Sequence, residues 1–382
     1  MNGSAKKNTS RVSAWFRLCP LRHILSGLGL LSIAFYFTLR DSPSVMDGLR
    51  NNLVMPWQRF SRRLTAALPF SLAEVLIAAG VVAAVCYFLY TLVMLFRGPG
   101  RPARLYRFAL TALTAFSLVY GGFCLLWGVF YDTSDFEESS GIAARPVAAD
   151  QLETVTRWFT DQLNAYAQLV PRAPDGTFAA DMDAYLEHAP ALYRAVERRL
   201  PCLAGDEVPA KKVLFSRVMS LINFTGFYFP FTGEANINTD SPGCLIPSTV
   251  AHELAHQRAV AEEDEANFVA VLASLEDGDP VYCYSSCLLA YIHLGNALYR
   301  ADYGAWEENY RRLCPEVRAD LDANRSYWAR FETPVSEVSD SVYTGFLHSY
   351  GQTLGLQTYG KCVDLLVTYY YGTAALQQSD ES

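Results

Sequence analysis

Histidine is scarce in this chain, with six among 382 residues, and several familiar motifs are missing. No internal repeat and no Gly-rich phosphate-binding loop stands out, so the sequence does not indicate a repeat protein or a nucleotide-binding enzyme. No Ser/His/Asp order typical of serine hydrolases stands out either. Cys283 and Cys287 are separated by three intervening residues where zinc sites usually have two, and no second pair is present, which disfavours a cysteine-rich zinc site.

Three long apolar runs are present in the first third, over residues 24–39, 75–96 and 108–130. A membrane helix needs about 20 apolar residues to cross a core of about 30 Å, so we expect three transmembrane helices. A secretory signal peptide is the competing interpretation of the first run. We favour an uncleaved anchor, because no clear small-x-small cleavage site follows the run and two further spans come after it.

Charge divides the chain into a basic and an acidic part. Residues 1–130 carry fourteen Lys or Arg against three acidic residues, a net of +11, whereas the remainder has a net of −19. The acidic part is therefore a poor partner for nucleic acid. Nine basic residues flank the spans on the side of the N-terminus and six on the other side. This bias favours an N-terminus in the cytoplasm and a C-terminal region outside it.

The loop between the first two spans has its own pattern. Trp57, Phe60 and Leu64 are spaced three or four residues apart among arginines. Such a pattern is typical of a helix that lies on a membrane surface, although an ordinary basic connector fits equally well.

The run from His252 to His256 reads His-Glu-Leu-Ala-His. On a helix, residues four apart share one face, so both imidazoles can reach a single zinc ion. Glu253 then lies beside the metal, where a carboxylate can act as the general base for a zinc-activated water. The non-functional alternative is a surface helix whose histidines only hydrogen-bond to neighbouring side chains.

A catalytic zinc needs a third protein ligand, and residues 262–265 supply four carboxylates. Glu263 is favoured as this third ligand, and Glu262 and Glu265 are the alternatives. The non-functional interpretation is that these acidic residues only stabilise the N-terminus of a helix. An unbroken helix would place Glu263 about 16 Å from His252, so the chain must bend within residues 257–261. No Gly or Pro marks this bend.

Two resemblances follow from these residues. Glu263, Ala266 and Asn267 resemble the third-ligand motif of glutamate zincins, in which an Asp at the position of Asn267 orients a ligating His. The segments 223–270, 343–347, 351–352 and 359–366 resemble a bacterial membrane family, domain of unknown function 3810. That resemblance implies N-terminal membrane helices followed by a zincin-like domain. The family pattern leads us to expect Gly at the position of Ala259.

Residues from Ala148 onward show mainly helical periodicity, and residues 233–238 are predicted to be the edge strand that binds substrate in zincins. His293 and His348 are weaker candidates for stabilising an oxyanion, as are Tyr343 and Tyr350; a structural role is favoured for both histidines. The six cysteines of the acidic part are compatible with disulfides or with buried free thiols.

Together these patterns predict a mainly α-helical protein with a three-helix membrane anchor over residues 1–130, a linker over 131–147 and an α-rich zincin-like domain over 148–382. The expected protein is a multi-pass cell-membrane metallopeptidase that acts on peptide or protein substrates. Zinc would be bound by His252, His256 and Glu263, with Glu253 as the base. The alternatives are a non-catalytic sensor or scaffold with a structural zinc, and an interaction protein without metal.

Overall fold

A computed structural model describes residues 16–179, 181–349 and 360–381. The chain divides into two compact units, each described separately below. The membrane unit comprises the chain up to Gln58 together with Ala73–Thr133. The globular unit comprises Arg59–Leu72 and the chain from Ser134 onward.

The membrane unit contains three helices that are long and apolar enough to cross a bilayer: α1 (Pro20–Leu39), α4 (Leu72–Arg97) and α5 (Arg101–Leu126). Between α1 and α4 lie α2 (Pro43–Leu49), a π-helical turn (Arg50–Val54) and α3 (Met55–Ala66). A Cβ at Gly29 of α1 would lie 2.5 Å from the backbone of Ser117 in α5, so the two helices approach as closely as small residues allow. A 3-10 turn over Gly128–Asp132 follows α5.

The globular unit is built from helices packed around a shared apolar core. The central helix α13 (Pro280–Ala301) is buried along most of its length and contacts α7 (Ala149–Ala167), α11 (Ile246–His256), α12 (Glu263–Asp277) and α17 (Gly360–Glu381). The helices are α6 (Phe136–Ser140), α7 (Ala149–Ala167), α8 (Met182–His188), α9 (Arg194–Arg199), α10 (Ser216–Leu221), α11 (Ile246–His256), α12 (Glu263–Asp277), α13 (Pro280–Ala301), α14 (Tyr303–Arg312), α15 (Pro315–Trp328), α16 (Pro334–Ser349) and α17 (Gly360–Glu381).

One small sheet lies beside these helices. It contains β1 (Lys211–Lys212), β2 (Gly226–Phe229) and β3 (Glu234–Ile237) in the order β1-β3-β2. β3 pairs in parallel with β1 and antiparallel with β2, and all four of its residues are buried. The prediction that residues 233–238 form an edge strand is therefore wrong. β2, whose residues are buried or half-buried, lies at one edge of the sheet and contacts α11.

The prediction of a mainly helical chain with three membrane helices is confirmed. Two boundaries differ from the sequence-based division. Within the segment predicted to be a linker, Phe136 begins a short helix and is 5 % exposed in the apolar core. Residues 59–72, which lie between two membrane helices in the sequence, group with the globular unit. All nine cysteines are free thiols, so the possible disulfides do not form.

Candidate metal centre

The helix α11 carries both histidines of the motif. Pro247 lies in its first turn, where a missing backbone N–H costs nothing. The helix begins at Ile246, and the hydroxyls of Ser248 and Thr249 in its first turn donate to the carbonyl oxygen of Leu245, at 2.8 and 3.0 Å. His252 and His256 consequently face the same side, and their rings meet edge to face at 4.6 Å.

Glu263, in the first turn of α12, faces both imidazoles. Its Oε2 lies 3.1 Å from Nε2 of His252, and its Oε1 lies 3.7 Å from Nε2 of His256. One donor atom from each of the three side chains lies within 4.8 Å of the other two. Two imidazoles and a carboxylate are a donor set suited to catalytic zinc, which keeps its fourth position for water or substrate. The side chain of Glu263 is 29 % exposed, so the centre is accessible to solvent at this residue.

The turn that brings Glu263 back to the histidines is a helix C-cap with Ala259 in a left-handed conformation, φ +69°. The N–H of Val260 donates to the carbonyl of Ala255, and the N–H of Ala259 donates to that of His256. These two bonds define a Schellman motif, which glycine usually completes. The bend required by the sequence is therefore present, although an alanine occupies its left-handed position.

Both imidazoles are oriented through their other nitrogen. Nδ1 of His252 donates to Oδ1 of Asn267, at 2.9 Å, and Nδ1 of His256 donates to the carbonyl of Val260, at 2.7 Å. A hydrogen bond at Nδ1 fixes the tautomer that presents Nε2 as a metal donor. The Asn267 contact matches the role that the zincin resemblance implies for this position.

Charge at the centre is balanced between the histidines and Glu263. Burial lowers the pKa of His256, but the Glu263 carboxylate outweighs this effect and raises it to about 9. Burial favours the neutral form of Glu263, yet His256 and His252 hold its pKa well below the usual range. Metal binding requires neutral imidazoles and an ionised carboxylate. A divalent cation bound between these three groups would therefore take the place of the protons that the imidazoles hold without it.

Glu253 points into the buried side of this centre and is 4 % exposed. Among the described residues, none hydrogen-bonds its Oε2 atom. Burial raises the pKa of Glu253 to about 7, and the two histidines only partly oppose this. A hydrolytic zinc site needs a carboxylate that can act as a base close to its three donor groups, and the unpartnered oxygen of Glu253 fits this requirement.

Gly226, in the edge strand β2, lies directly against Glu253. A Cβ at this position would be 2.6 Å from Oε1 and 2.9 Å from Cγ of Glu253. Only a residue without a side chain lets the strand approach the carboxylate this closely. Sequence reasoning missed Gly226, since an isolated glycine before a short aromatic run carries no specific signal.

Glu262 and Glu265 point away from the histidines. Both accept hydrogen bonds from Nζ of Lys361 in α17, at 2.6 and 3.0 Å, and Oε2 of Glu265 also accepts from the backbone N–H of Phe136. These bonds hold the start of α12 against α6 and α17. The two alternative ligands thus have structural partners, and only Glu263 is brought to His252 and His256.

Tyr343 in α16 donates a hydrogen bond of 2.6 Å to Oε1 of Glu263, so it lies at the centre. His293 is buried in α13, and burial together with nearby His252 lowers its pKa to about 4. His348 is exposed, and Tyr350 lies outside the described residues.

A family model described as "Protein of unknown function (DUF3810)" matches residues 51–367. The chain belongs to this family. The match spans α3, the two later membrane helices and the complete set of residues around the candidate metal centre. Positions 351, 352 and 359 of the family-like C-terminal segment lie outside the described residues.

No curated protein and no solved structure matches the chain.

Proposed function

We propose that this protein is a membrane-anchored zinc metallopeptidase. The observation that carries the proposal is the convergence of His252, His256 and Glu263 beside the buried, unpartnered oxygen of Glu253. The zincin resemblance of the motif supports the same assignment.

Each side chain has a defined role in the proposed hydrolysis. His252, His256 and Glu263 hold the metal, while Asn267 and the Val260 carbonyl keep the imidazoles in place. Bound zinc would supply an activated water and polarise the substrate carbonyl. Glu253 takes the proton of the attacking water and later gives it to the leaving amine, for which a pKa near 7 is suitable.

The edge strand β2 offers a place for an extended peptide. The N–H of Asn238 donates to the carbonyl of Thr225, so the antiparallel alternation directs the backbone groups of Gly226 and Tyr228 away from β3. A substrate strand that pairs with these groups would pass in front of Glu253, because Gly226 touches that side chain.

The three candidate spans and the bias of basic residues support a location in the cell membrane with the globular unit outside the cytoplasm. Digestion of the globular unit by a protease added to intact cells tests this orientation. Protection of the unit until the cells are permeabilised would reverse it.

The decisive experiment uses the purified full-length chain in detergent, its zinc content, and a fluorogenic peptide library. We expect one zinc per chain and peptide cleavage that stops on chelation. Glu253→Gln should retain zinc and lose cleavage by at least about a hundredfold. Glu276→Gln, an exposed change in α12, is the matched control and should cleave normally.

Three outcomes contradict the proposal. Cleavage by Glu253→Gln at the unmutated rate would remove Glu253 from the mechanism. Stoichiometric zinc without any cleavage would favour a sensor or scaffold with structural zinc. Absence of bound zinc would exclude both the metallopeptidase and the protein with structural zinc.

A further inference from the structure

The helix α3 has its polarity reversed relative to an ordinary surface helix. Its buried side chains are polar: Gln58, Ser61, Arg62 and Thr65, exposed by 0, 7, 1 and 4 %. Its large apolar side chains are exposed instead: Trp57, Phe60 and Leu64, by 45, 61 and 65 %. In a soluble protein, a helix turns its apolar face to the core and its polar face to water. The environment of the outer face of α3 must therefore differ from water.

The polar face is fixed to the globular unit by specific bonds. Arg62 donates a hydrogen bond of 2.9 Å to the carbonyl of Gln257, the residue that follows His256. The hydroxyl of Thr65 donates to the carbonyl of Thr232, before β3. These contacts determine which side of α3 faces inward and leave the apolar side outward.

The chain after α3 is held in the same way. The hydroxyl of Ser71 donates to Oδ1 of Asn236, at 2.6 Å, and the N–H of Leu72 donates to Oε1 of Glu234, at 3.0 Å. The segment 59–72 therefore cannot rotate about its axis without breaking bonds to β3. The outward direction of Phe60 and Leu64 is a property of the folded globular unit.

The outward face has the composition of a helix in a membrane interface. At 100° per residue, Trp57, Phe60 and Leu64 fall within an arc of about 60°. On the exposed side of the helix, Arg63 lies about 60° and Arg59 about 100° from the end of this arc, and the side chain of Arg63 is 68 % exposed. An apolar stripe with basic residues at its edge matches the acyl boundary and the headgroups of a bilayer.

The position of α3 in the chain identifies the partner. Residues 40–71 connect the end of α1 at Leu39 to the start of α4 at Leu72, and both helices are candidate spans. A segment that is tethered at both ends stays at one surface of the bilayer. Only residues 67–71 separate α3 from α4.

We propose that α3 lies in the membrane interface, with Trp57, Phe60 and Leu64 among the lipids and with its polar face holding the end of the metal-binding helix α11. The segment thus joins the bilayer surface to the candidate metal centre. This inference does not depend on the proposed hydrolysis.

Photocrosslinking tests the inference in the full-length chain, reconstituted in nanodiscs of phosphatidylcholine and phosphatidylglycerol. Benzoylphenylalanine is placed at Leu64 or at Leu169, an exposed leucine of the globular unit with a similar exposed fraction of 63 %. We expect lipid adducts at position 64 at least about fivefold above those at position 169. Phe60 provides a second site if the Leu64 variant elutes abnormally on size exclusion.

A lipid adduct at position 64 that is no stronger than at position 169 would overturn the proposal. An adduct to a second copy of the chain in place of lipid would overturn it as well, and would assign the face to a protein contact.

Discussion

Asn267 accepts a hydrogen bond from Nδ1 of His252 at 2.9 Å, which joins the first helix of the candidate metal centre to the second. The bond spans the bend between α11 and α12. It therefore fixes both the imidazole of His252 at the candidate metal centre and the position of the helix that carries Glu263.

Asn267→Ala should weaken zinc binding by about 10–100-fold, because the imidazole of His252 loses the acceptor that fixes its tautomer. Competition with a fluorescent chelator measures this change. Asn267→Asp keeps an acceptor oxygen and should bind zinc at least as tightly as the unmutated chain. Equal affinity of all three proteins would remove Asn267 from the centre.

Tyr343→Phe should lower zinc affinity by about tenfold, since Glu263 loses the hydroxyl that orients its carboxylate. The same chelator competition applies. Tyr303→Phe, at an exposed tyrosine of α14, is the control and should leave the affinity unchanged. A similar loss in both variants would mean that Tyr343 has no specific role.

Gly226→Ala should reduce both thermal stability and peptide cleavage, because the new methyl group would collide with Glu253 in a buried setting. Gly372→Ala in α17 has open space around its Cβ and should be neutral or slightly stabilising. Thermal unfolding and cleavage rates are compared for the two variants. A Gly226→Ala protein with unaltered properties would show that β2 does not press against the carboxylate.

Ala259→Gly should stabilise the globular unit by about 1 kcal/mol, because glycine adopts the left-handed conformation without the Cβ penalty. Ala323→Gly, in the exposed face of α15, should have the opposite effect, by about 1 kcal/mol. Denaturant unfolding measures the sign of the change in the free energy of unfolding for each variant. Destabilisation by Ala259→Gly would contradict the conformation of the turn.

Arg62→Ala should destabilise the globular unit by about 2 kcal/mol, because a buried charged donor is lost from the end of α11. Arg63→Ala removes an exposed ion pair with Asp206 and should cost less than about 1 kcal/mol. Unfolding in detergent compares the two neighbouring arginines. Equal effects would argue against the anchoring role of Arg62.

The sequence predicted the parts of the centre that depend on local spacing. The four-residue separation of His252 and His256 implies a shared helix face, and the excess of carboxylates after residue 261 indicated which segment brings a carboxylate to these imidazoles. The choice of Glu263 over Glu262 and Glu265 needed the tertiary position of Lys361, which lies almost a hundred residues later in the chain.

The bend and the strand order were harder to predict because they, too, depend on contacts between distant parts of the chain. Ala259 has no intrinsic preference for positive φ, so its conformation depends on the folded surroundings of the turn. The central position of β3 depends on its pairing with Lys211 and Lys212, a contact that alternation within one segment does not reveal. The buried polar face of α3 likewise needs Gln257 and Thr232 as partners.

The hydrogen bond from Arg62 to the carbonyl of Gln257 has a mechanical consequence. It ties a residue that lies between two candidate membrane spans to the residue that directly follows His256. A change that displaces α3 would therefore also displace the end of α11, which carries one of the two imidazoles of the candidate metal centre.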